Sequence, residues 1–360
     1  MAIGIFGLSQ SGKTTIFNAA TRGAATHGHA GPNIGVVKVP DDRLARLAEI
    51  SSPKRIVHAE IEYVDIPAAT GGSSAKGIGA EYLNVLQPCD ALLVVCRAFE
   101  DPSVPQVEHG VDPYRDAVTL ELELMLSDLG VLERREERIE SQLRTAKSLD
   151  RDALRKERTL IGAISKALEA EVPVRGQQLA PEAAPLLQNF QLLSAKPLMV
   201  VFNIDEHDIA RTAEIEAEMG ERLGGPHVAT AAVCGKLETE LAQMSPEDEA
   251  EFRQSLGAGK RSLDRTAVMA YDVLGLITFL TIGLDEVRAW AIRKGINALE
   301  AAGKVHTDIQ RGFIRAEVVA FHDLDRTGSL AEARKQAVLR SEGKGYVMQD
   351  GDVVNYLFNV

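Results

Sequence analysis

One stretch leaves this chain little freedom in what it can fold into: "GIFGLSQSGKTTIF", residues 4–17. An apolar run enters a loop with the spacing Gly7–x4–Gly12–Lys13–Thr14, and an amphipathic run leaves it. A strand, a glycine-bounded loop and a helix are the local structure such a pattern requires. The glycines let the backbone curl so that the N–H groups of Gln10, Ser11, Gly12, Lys13, Thr14 and Thr15 turn inward on phosphate oxygens. Lys13 is spaced to bridge β and γ phosphates, and the Thr14 hydroxyl to ligate Mg²⁺. The N-terminus of the helix adds a favourable dipole for an anion. Nucleotide binding is therefore expected, with Lys13 and Thr14 in the catalytic set.

The rest of the pattern agrees with a doubly wound, mostly parallel α/β sheet. Residues 3–7, 59–67, 90–96 and 197–205 read as strands, and three of them are nearly continuous in apolar character, as strands covered on both faces are. Residues 13–22 and 80–87 read as helices between them. From about Asp116 to Glu171 the chain turns charged, leucine-rich and proline-free. Leu122, Met125, Leu129, Leu132, Ile139, Leu143 and Ala146 follow three- and four-residue steps interrupted only by Glu136, and Leu154, Ile161, Ile164 and Leu168 repeat the step. That spacing predicts two antiparallel helices packed along an apolar seam. The strand at 197–205 follows, so the hairpin interrupts the α/β domain.

A small α+β domain is expected at the C-terminal end. Residues 313–321 and 345–360 read as strands, with "QDGD" as a turn, and 287–303 and 329–340 read as helices. The expected organisation is 1–115 with 190–275 as the nucleotide-binding domain, 116–189 as the helical insertion and 276–360 as the C-terminal domain. His306 and Asp308 invite a catalytic reading, but no nucleophile or metal cluster accompanies them, and a turn before the strand is the better account.

The 360 residues are ordinary globular composition, 45% hydrophobic and 26% charged. A formal net charge of −12 argues against coating nucleic acid through bulk charge, so no DNA partner is expected, although a local basic face can still meet RNA. Cys89, Cys96 and Cys234 lack metal-ligand spacing and read as buried free thiols of a reducing compartment. No signal peptide and no bilayer-spanning run appears, so a cytoplasmic protein without a membrane partner is expected. The apolar seam can be satisfied within the chain, which favours a monomer.

With these motifs in place the sequence resembles the YchF/Obg-like ATPase family, within the translation-factor-related P-loop GTPases. The resemblance runs over almost the whole chain and is strongest in "PNIGVVKVPDDRLARLAEI" (32–50), "GLDEVRAWAIRKG" (283–295), "VHTDIQRGFIRAEVVAF" (305–321) and "EGKGYVMQDGDVVNYLFNV" (342–360). The last three are similar to the family's C-terminal TGS domain, a β-grasp interaction module. The resemblance implies an interrupted G domain with a coiled-coil insertion, and association with the ribosome or RNA.

Guanine-specific relatives place Asn-Lys-x-Asp after this strand; here the positions are Asn203–Ile204–Asp205–Glu206. A longer carboxylate at Glu206 cannot simply take over the bidentate contact to guanine, and the resemblance implies ATP preference at this motif, with GTP the alternative. "CGKLE" resembles the base-side loop, with Cys234, Gly235 and Lys236 at the base and backbone N–H groups around Gly235 and Lys236. Asp65 ends its strand where the second Mg²⁺ contact is expected, so the metal set is Thr14 with Asp65.

After Asp65 the family pattern continues x-Ala-Gly-Leu, whereas this chain has Ile66–Pro67–Ala68–Ala69, and residues 70–79 are one residue shorter than the pattern. Ala68 keeps the N–H that would meet the γ-phosphate, but its Cβ and Pro67 narrow the backbone's choices. In the first switch the family's Thr is replaced by His29, unless Thr26 serves, and imidazole suits Mg²⁺ poorly. The parts that bind nucleotide are intact while those that sense the γ-phosphate are altered. A slow ATPase is expected, with a non-hydrolysing nucleotide-binding regulator or a GTPase as alternatives.

Overall fold

The computed structural model describes residues 1–22, 31–66, 80–102, 110–145, 147–256 and 261–359. In chain order come β1 (Ala2–Phe6), α1 (Lys13–Thr21), β2 (Asn33–Lys38), α2 (Asp42–Ser51), β3 (Arg55–Val57), β4 (Glu60–Asp65), α3 (Ala80–Leu86) and β5 (Ala91–Ala98). Two long helices follow, α4 (Pro113–Thr145) and α5 (Ser148–Glu169), and then α6 (Ala184–Phe190). The chain continues through β6 (Leu198–Ile204), α7 (Thr212–Leu223), β7 (Val228–Val233), α8 (Gly235–Leu241), α9 (Pro246–Leu256) and α10 (Ser262–Leu274).

The first sheet has six strands in the order β2-β4-β1-β5-β6-β7. Its centre is parallel: β1 lies between β4 and β5, with Ile5 opposite Asp65 and Phe6 opposite Val94, and β5 pairs β6. Every residue of β6 is buried, and all of β5 but its last, which explains their unbroken apolar sequence. The order reverses at β1, so the crevice beyond the carboxyl ends of β1, β5 and β6 is where a ligand is received in such a sheet.

The seam of the hairpin is where its spacing placed it. Met125, Leu132 and Ile139 of α4 are buried with Ile161, Ile164 and Leu168 of α5, and Leu122, Leu129, Leu143 and Leu154 flank them; Ala146 lies outside the described residues. Glu136, the polar interruption, accepts from Arg158 at 3.2 Å across the pair, and Arg135 grips Glu157 with two bonds. Because β5 and β6 are hydrogen-bonded neighbours, the hairpin between them is an insertion. Its root is fixed by buried Asp128, whose carboxylate accepts from the backbone N–H of Leu193 and Ser194, both at 2.7 Å. Burial raises the Asp128 pKa, and those bonds oppose the rise.

The chain divides into two compact units, Met1–Val36 with Glu62–Thr266, and Val37–Ile61 with Ala267–Val360. The second unit holds β8 (Leu276–Ile282), β9 (Glu286–Arg293), α11 (Ala298–Val305), α12 (Thr307–Arg311), β10 (Phe313–Ala320), α13 (Phe321–Thr327), α14 (Leu330–Lys335), β11 (Arg340–Glu342) and β12 (Asp352–Phe358). Its sheet runs β11-β10-β12-β8-β9-β3, so residues 55–57, expected with the nucleotide-binding domain, add an edge strand to the C-terminal sheet.

Two local expectations are corrected here. Residues 287–303 do not form one helix: 286–293 is β9, antiparallel to β8, and only 298–305 is helical. Val287 and Ala289 face inward while Arg288 and Trp290 are more exposed, and that period of two prevails over the good helix formers around it. Likewise the helix expected over 329–340 spans only Leu330–Lys335, and Arg340 already belongs to β11. His306 does fix a turn, its Nδ1 accepting from the Asp308 N–H at 3.2 Å to start α12.

Candidate nucleotide site

The phosphate loop leaves β1 at Gly7, where a Cβ would stand 2.4 Å from the Val95 carbonyl oxygen and 3.0 Å from Ser11 Oγ. Only glycine passes so close to β5. Gln10, exposed, takes a φ of +63°, and Gly12 one of +91° at the cap of α1, with no side chain capping that helix end. The first N–H groups of α1 therefore have no acceptor from their own helix. Buried Ser11 has its Oγ without a partner among the described residues. Lys13 is buried and folded back, its Nζ donating to the carbonyls of Gly7 at 2.9 Å and Leu8 at 2.8 Å. Burial lowers its pKa, and the nearby Asp65 charge opposes the shift.

Asp65 is fully buried at the end of β4. Its Oδ2 accepts from Thr14 Oγ1 at 3.3 Å and from Asn33 Nδ2 at 3.1 Å, while Oδ1 is buried with no partner among the described residues. An unpartnered carboxylate oxygen beside a hydroxyl is a hard oxygen donor set, which suits Mg²⁺. Among the described residues no group of three or more His, Cys, Asp or Glu is placed to hold a metal. A cation here would complete its shell with phosphate and water oxygens. Asn33 escaped the sequence analysis as a site residue, since a lone Asn opening a strand signals nothing about its partner across the sheet.

The base end is built around Asn203, the next-to-last residue of β6. Its Nδ2 donates to the Ser11 carbonyl at 3.1 Å, and its Oδ1 accepts from the Gly235 N–H at 3.0 Å. Both polar ends are engaged within the protein, so Asn203 ties the phosphate loop to the base-side loop. The packing is close: a Cβ on Gly12 would meet Asn203 Nδ2 at 2.1 Å, and one on Gly235 would meet Oδ1 at 2.9 Å. Asp205 bonds the His207 N–H and closes the turn after β6. Cys234 is buried at the N-cap of α8, and burial raises its thiol pKa against backbone N–H bonds from Leu237 and Lys236.

Between these loops opens a cavity of about 600 Å³, lined by Gly12, Thr15, Asn203, Glu206, Cys234 and Lys236. Glu206 and Lys236 form an ion pair there, 2.9 Å between Oε1 and Nζ. The wall also includes Phe99 to Pro102, a segment that carries no motif in the sequence. Buried Arg97 shapes that segment, Nε donating to the Phe99 carbonyl at 3.1 Å and the guanidinium lying 4.8 Å from the ring centroid. The available signal was positional: the segment leaves the carboxyl end of a central parallel strand. Thr26, His29, Ala68 and Ala69, with the loop at 70–79, lie outside the described residues.

A parallel sheet with a phosphate loop after β1, a buried carboxylate ending β4 and a cavity beyond β5 and β6 defines a P-loop nucleotide-binding protein of the G-domain type. Comparison with known proteins is specific beyond that class. "Ribosome-binding ATPase YchF" of Bacillus subtilis (strain 168) is 38% identical over 368 residues, covering 100% of both chains. The protein of that name from Escherichia coli O157:H7 is 35% identical over 365 residues, 99% of each. The solved Schizosaccharomyces pombe YchF GTPase matches with a TM-score of 0.87 at 30% identity, over 99% of this chain and 97% of that one. A GTP-binding protein from Pyrococcus horikoshii shares the fold, with a TM-score of 0.61 at 18% identity over 100% of both chains. Residues 276–359 match the YchF-GTPase_C family, described as "Protein of unknown function (DUF933)". This chain belongs to the YchF family.

Proposed function

We propose that the protein is a slow, Mg²⁺-dependent ATPase that associates with the ribosome according to the nucleotide it holds. The observation that carries the reading is the buried Asp65, whose Oδ1 has no partner among the described residues beside Thr14, at the mouth of an intact phosphate loop. Lys13 exchanges the Gly7 and Leu8 carbonyls for β and γ phosphate oxygens, and the N–H groups of Gln10 to Thr15 cradle the rest of the chain. Thr14 and Asp65 would hold Mg²⁺, which when bound neutralises charge on those oxygens. Catalysis of this kind is mostly positioning and electrostatics. Ala68 and His29, where the family has Gly and Thr, weaken positioning at the γ-phosphate and keep turnover slow.

Preference for ATP is supported by Ile204 and Glu206 at the positions of the guanine-reading Lys and Asp, and by the description of the bacterial relatives as ATPases. GTP is the second reading, supported by the description of the fission-yeast relative as a GTPase. Ribosome association follows the same bacterial relatives. No described helix is long and apolar enough to cross a membrane, and we propose that the protein works in the cytoplasm as a monomer.

Single-turnover hydrolysis of ATP and of GTP with Mg²⁺, against Lys13→Ala as blank, tests the chemistry. Cleavage of ATP above the blank, with tighter binding than GTP, is expected. Binding without product would leave a nucleotide-controlled switch in place of an enzyme. Co-sedimentation with 70S ribosomes in ATP, ADP and no nucleotide tests the partner, and equal pelleting in all three would remove the nucleotide dependence.

A further inference from the structure

The carboxylate of Asp65 is held unevenly. Thr14 Oγ1 and Asn33 Nδ2 both donate to Oδ2, at 3.3 and 3.1 Å, and Oδ1 is buried without a partner among the described residues. The two donors differ in what else they can do. A hydroxyl has lone pairs as well as a proton, so Thr14 can serve a cation and still donate to Asp65. An amide nitrogen has only its N–H groups to offer. Asn33 Nδ2 can therefore orient the carboxylate but cannot compete with it for a metal. With Oδ2 tied from both sides, Oδ1 is the oxygen left for a cation or for a water of its shell.

Asn33 is itself firmly placed. It opens β2, is only 8% exposed, and β2 lies beside β4 in the sheet. Two residues further on, a Cβ at Gly35 would stand 2.2 Å from Thr21 Cγ2 and 3.2 Å from the Phe17 ring, so glycine is what lets β2 approach α1 so closely. Thr14 stands in the first turn of that same helix. Thr14, Asn33 and Asp65 are thus carried on α1, β2 and β4, three elements that fix one another.

We infer that Asn33 is a positioning residue of the cation site: its amide N–H holds the Asp65 carboxylate so that Oδ1 is left for Mg²⁺ or its water, and much of what Mg²⁺ adds to nucleotide affinity depends on that bond. This inference rests on the proposed reading of Thr14 and Asp65 as the Mg²⁺ site. The competing role is structural, a donor that merely makes a buried carboxylate cheaper to bury. The two roles part on whether the metal is involved.

The test is equilibrium binding of a non-hydrolysable ATP analogue to the full chain, once with saturating Mg²⁺ and once with EDTA, so that turnover plays no part. The ratio of the two affinities is the gain from the metal. Wild type is compared with Asn33→Ala and with Asn33→Leu, which keeps a branched side chain without the donor. The gain should fall about tenfold or more in both variants, the scale on which outer-shell partners of a metal ligand act, while affinity in EDTA stays within about twofold of wild type. A gain unchanged within about twofold overturns this inference alone. Equal losses with and without Mg²⁺ also overturn it, and make Asn33 a structural residue of β2. A wild type that binds the analogue equally in Mg²⁺ and EDTA overturns the metal reading, and this inference with it.

Discussion

The two ends of the candidate nucleotide site are built on opposite principles. At the phosphate end the working groups are buried: Lys13 is 6% exposed and Asp65 fully buried, while the loop passes where no Cβ fits. At the base end the groups that would meet the ligand, Glu206 and Lys236, are on exposed side chains held by one ion pair. Burial makes the phosphate end rigid and intolerant, because an unpaired buried polar group is costly. Exposure makes the base end tolerant, because a substitution there strands no buried partner. Asn203 joins the two, and its behaviour should be that of neither.

The sharpest break in that contrast would come from Lys13→Ala. Loss of a charged donor aimed at the transferring phosphate should lower single-turnover hydrolysis by roughly 10²-fold or more. The variant should melt no lower than wild type, because it also removes a desolvated ammonium; a large loss of stability would mean that Lys13 is chiefly structural. Gly12→Ala comes next. With φ at +91° and a Cβ 2.1 Å from Asn203 Nδ2, it should cost roughly 1–3 kcal/mol in denaturant unfolding and abolish ATP binding in calorimetry.

Asn203→Ala would strand the Ser11 carbonyl and the Gly235 N–H, at about 1–3 kcal/mol of stability. It should weaken ADP and GDP to the same extent. A selective effect on one base would show that Asn203 reads the base directly.

The smallest effect is on protons. Burial places the Lys13 pKa below its ordinary 10.5 in the free protein, and phosphate oxygens would raise it again. In the free protein the unfolded chain then holds more protons between the lowered value and 10.5, so stability rises with pH through that window. Nucleotide affinity has the opposite sign: binding takes up a proton, and affinity falls as pH rises through the lowered pKa. ATP titrations in buffers of different ionisation heat should show the uptake, and Lys13→Ala should remove it.

Much of this was legible in the order of residues. The phosphate loop, the continuous apolar strands and the three- and four-residue steps of the hairpin each depend on contacts a few residues apart, or on burial that affects a whole segment. The failures have a common cause. Residues 286–293 contain good helix formers, but pairing with β8 and the inward-facing Val287 and Ala289 made them a strand. Residues 55–57 carry no sign that their partner is β9, more than 200 residues away along the chain.

The same division holds inside the site. Sequence by itself determined that residues 7–12 form a tight loop between β1 and α1 and that Asp65 ends a strand, because glycine spacing and strand patterning are local constraints on backbone conformation. Only the tertiary structure decided that Asn33 bonds Asp65, that Asn203 braces two loops and that Lys236 sits on Glu206. Each of these is a hydrogen bond or ion pair between residues distant in sequence. Such pairs have no period and no spacing, and they exist only once the sheet has brought the ends of its strands together.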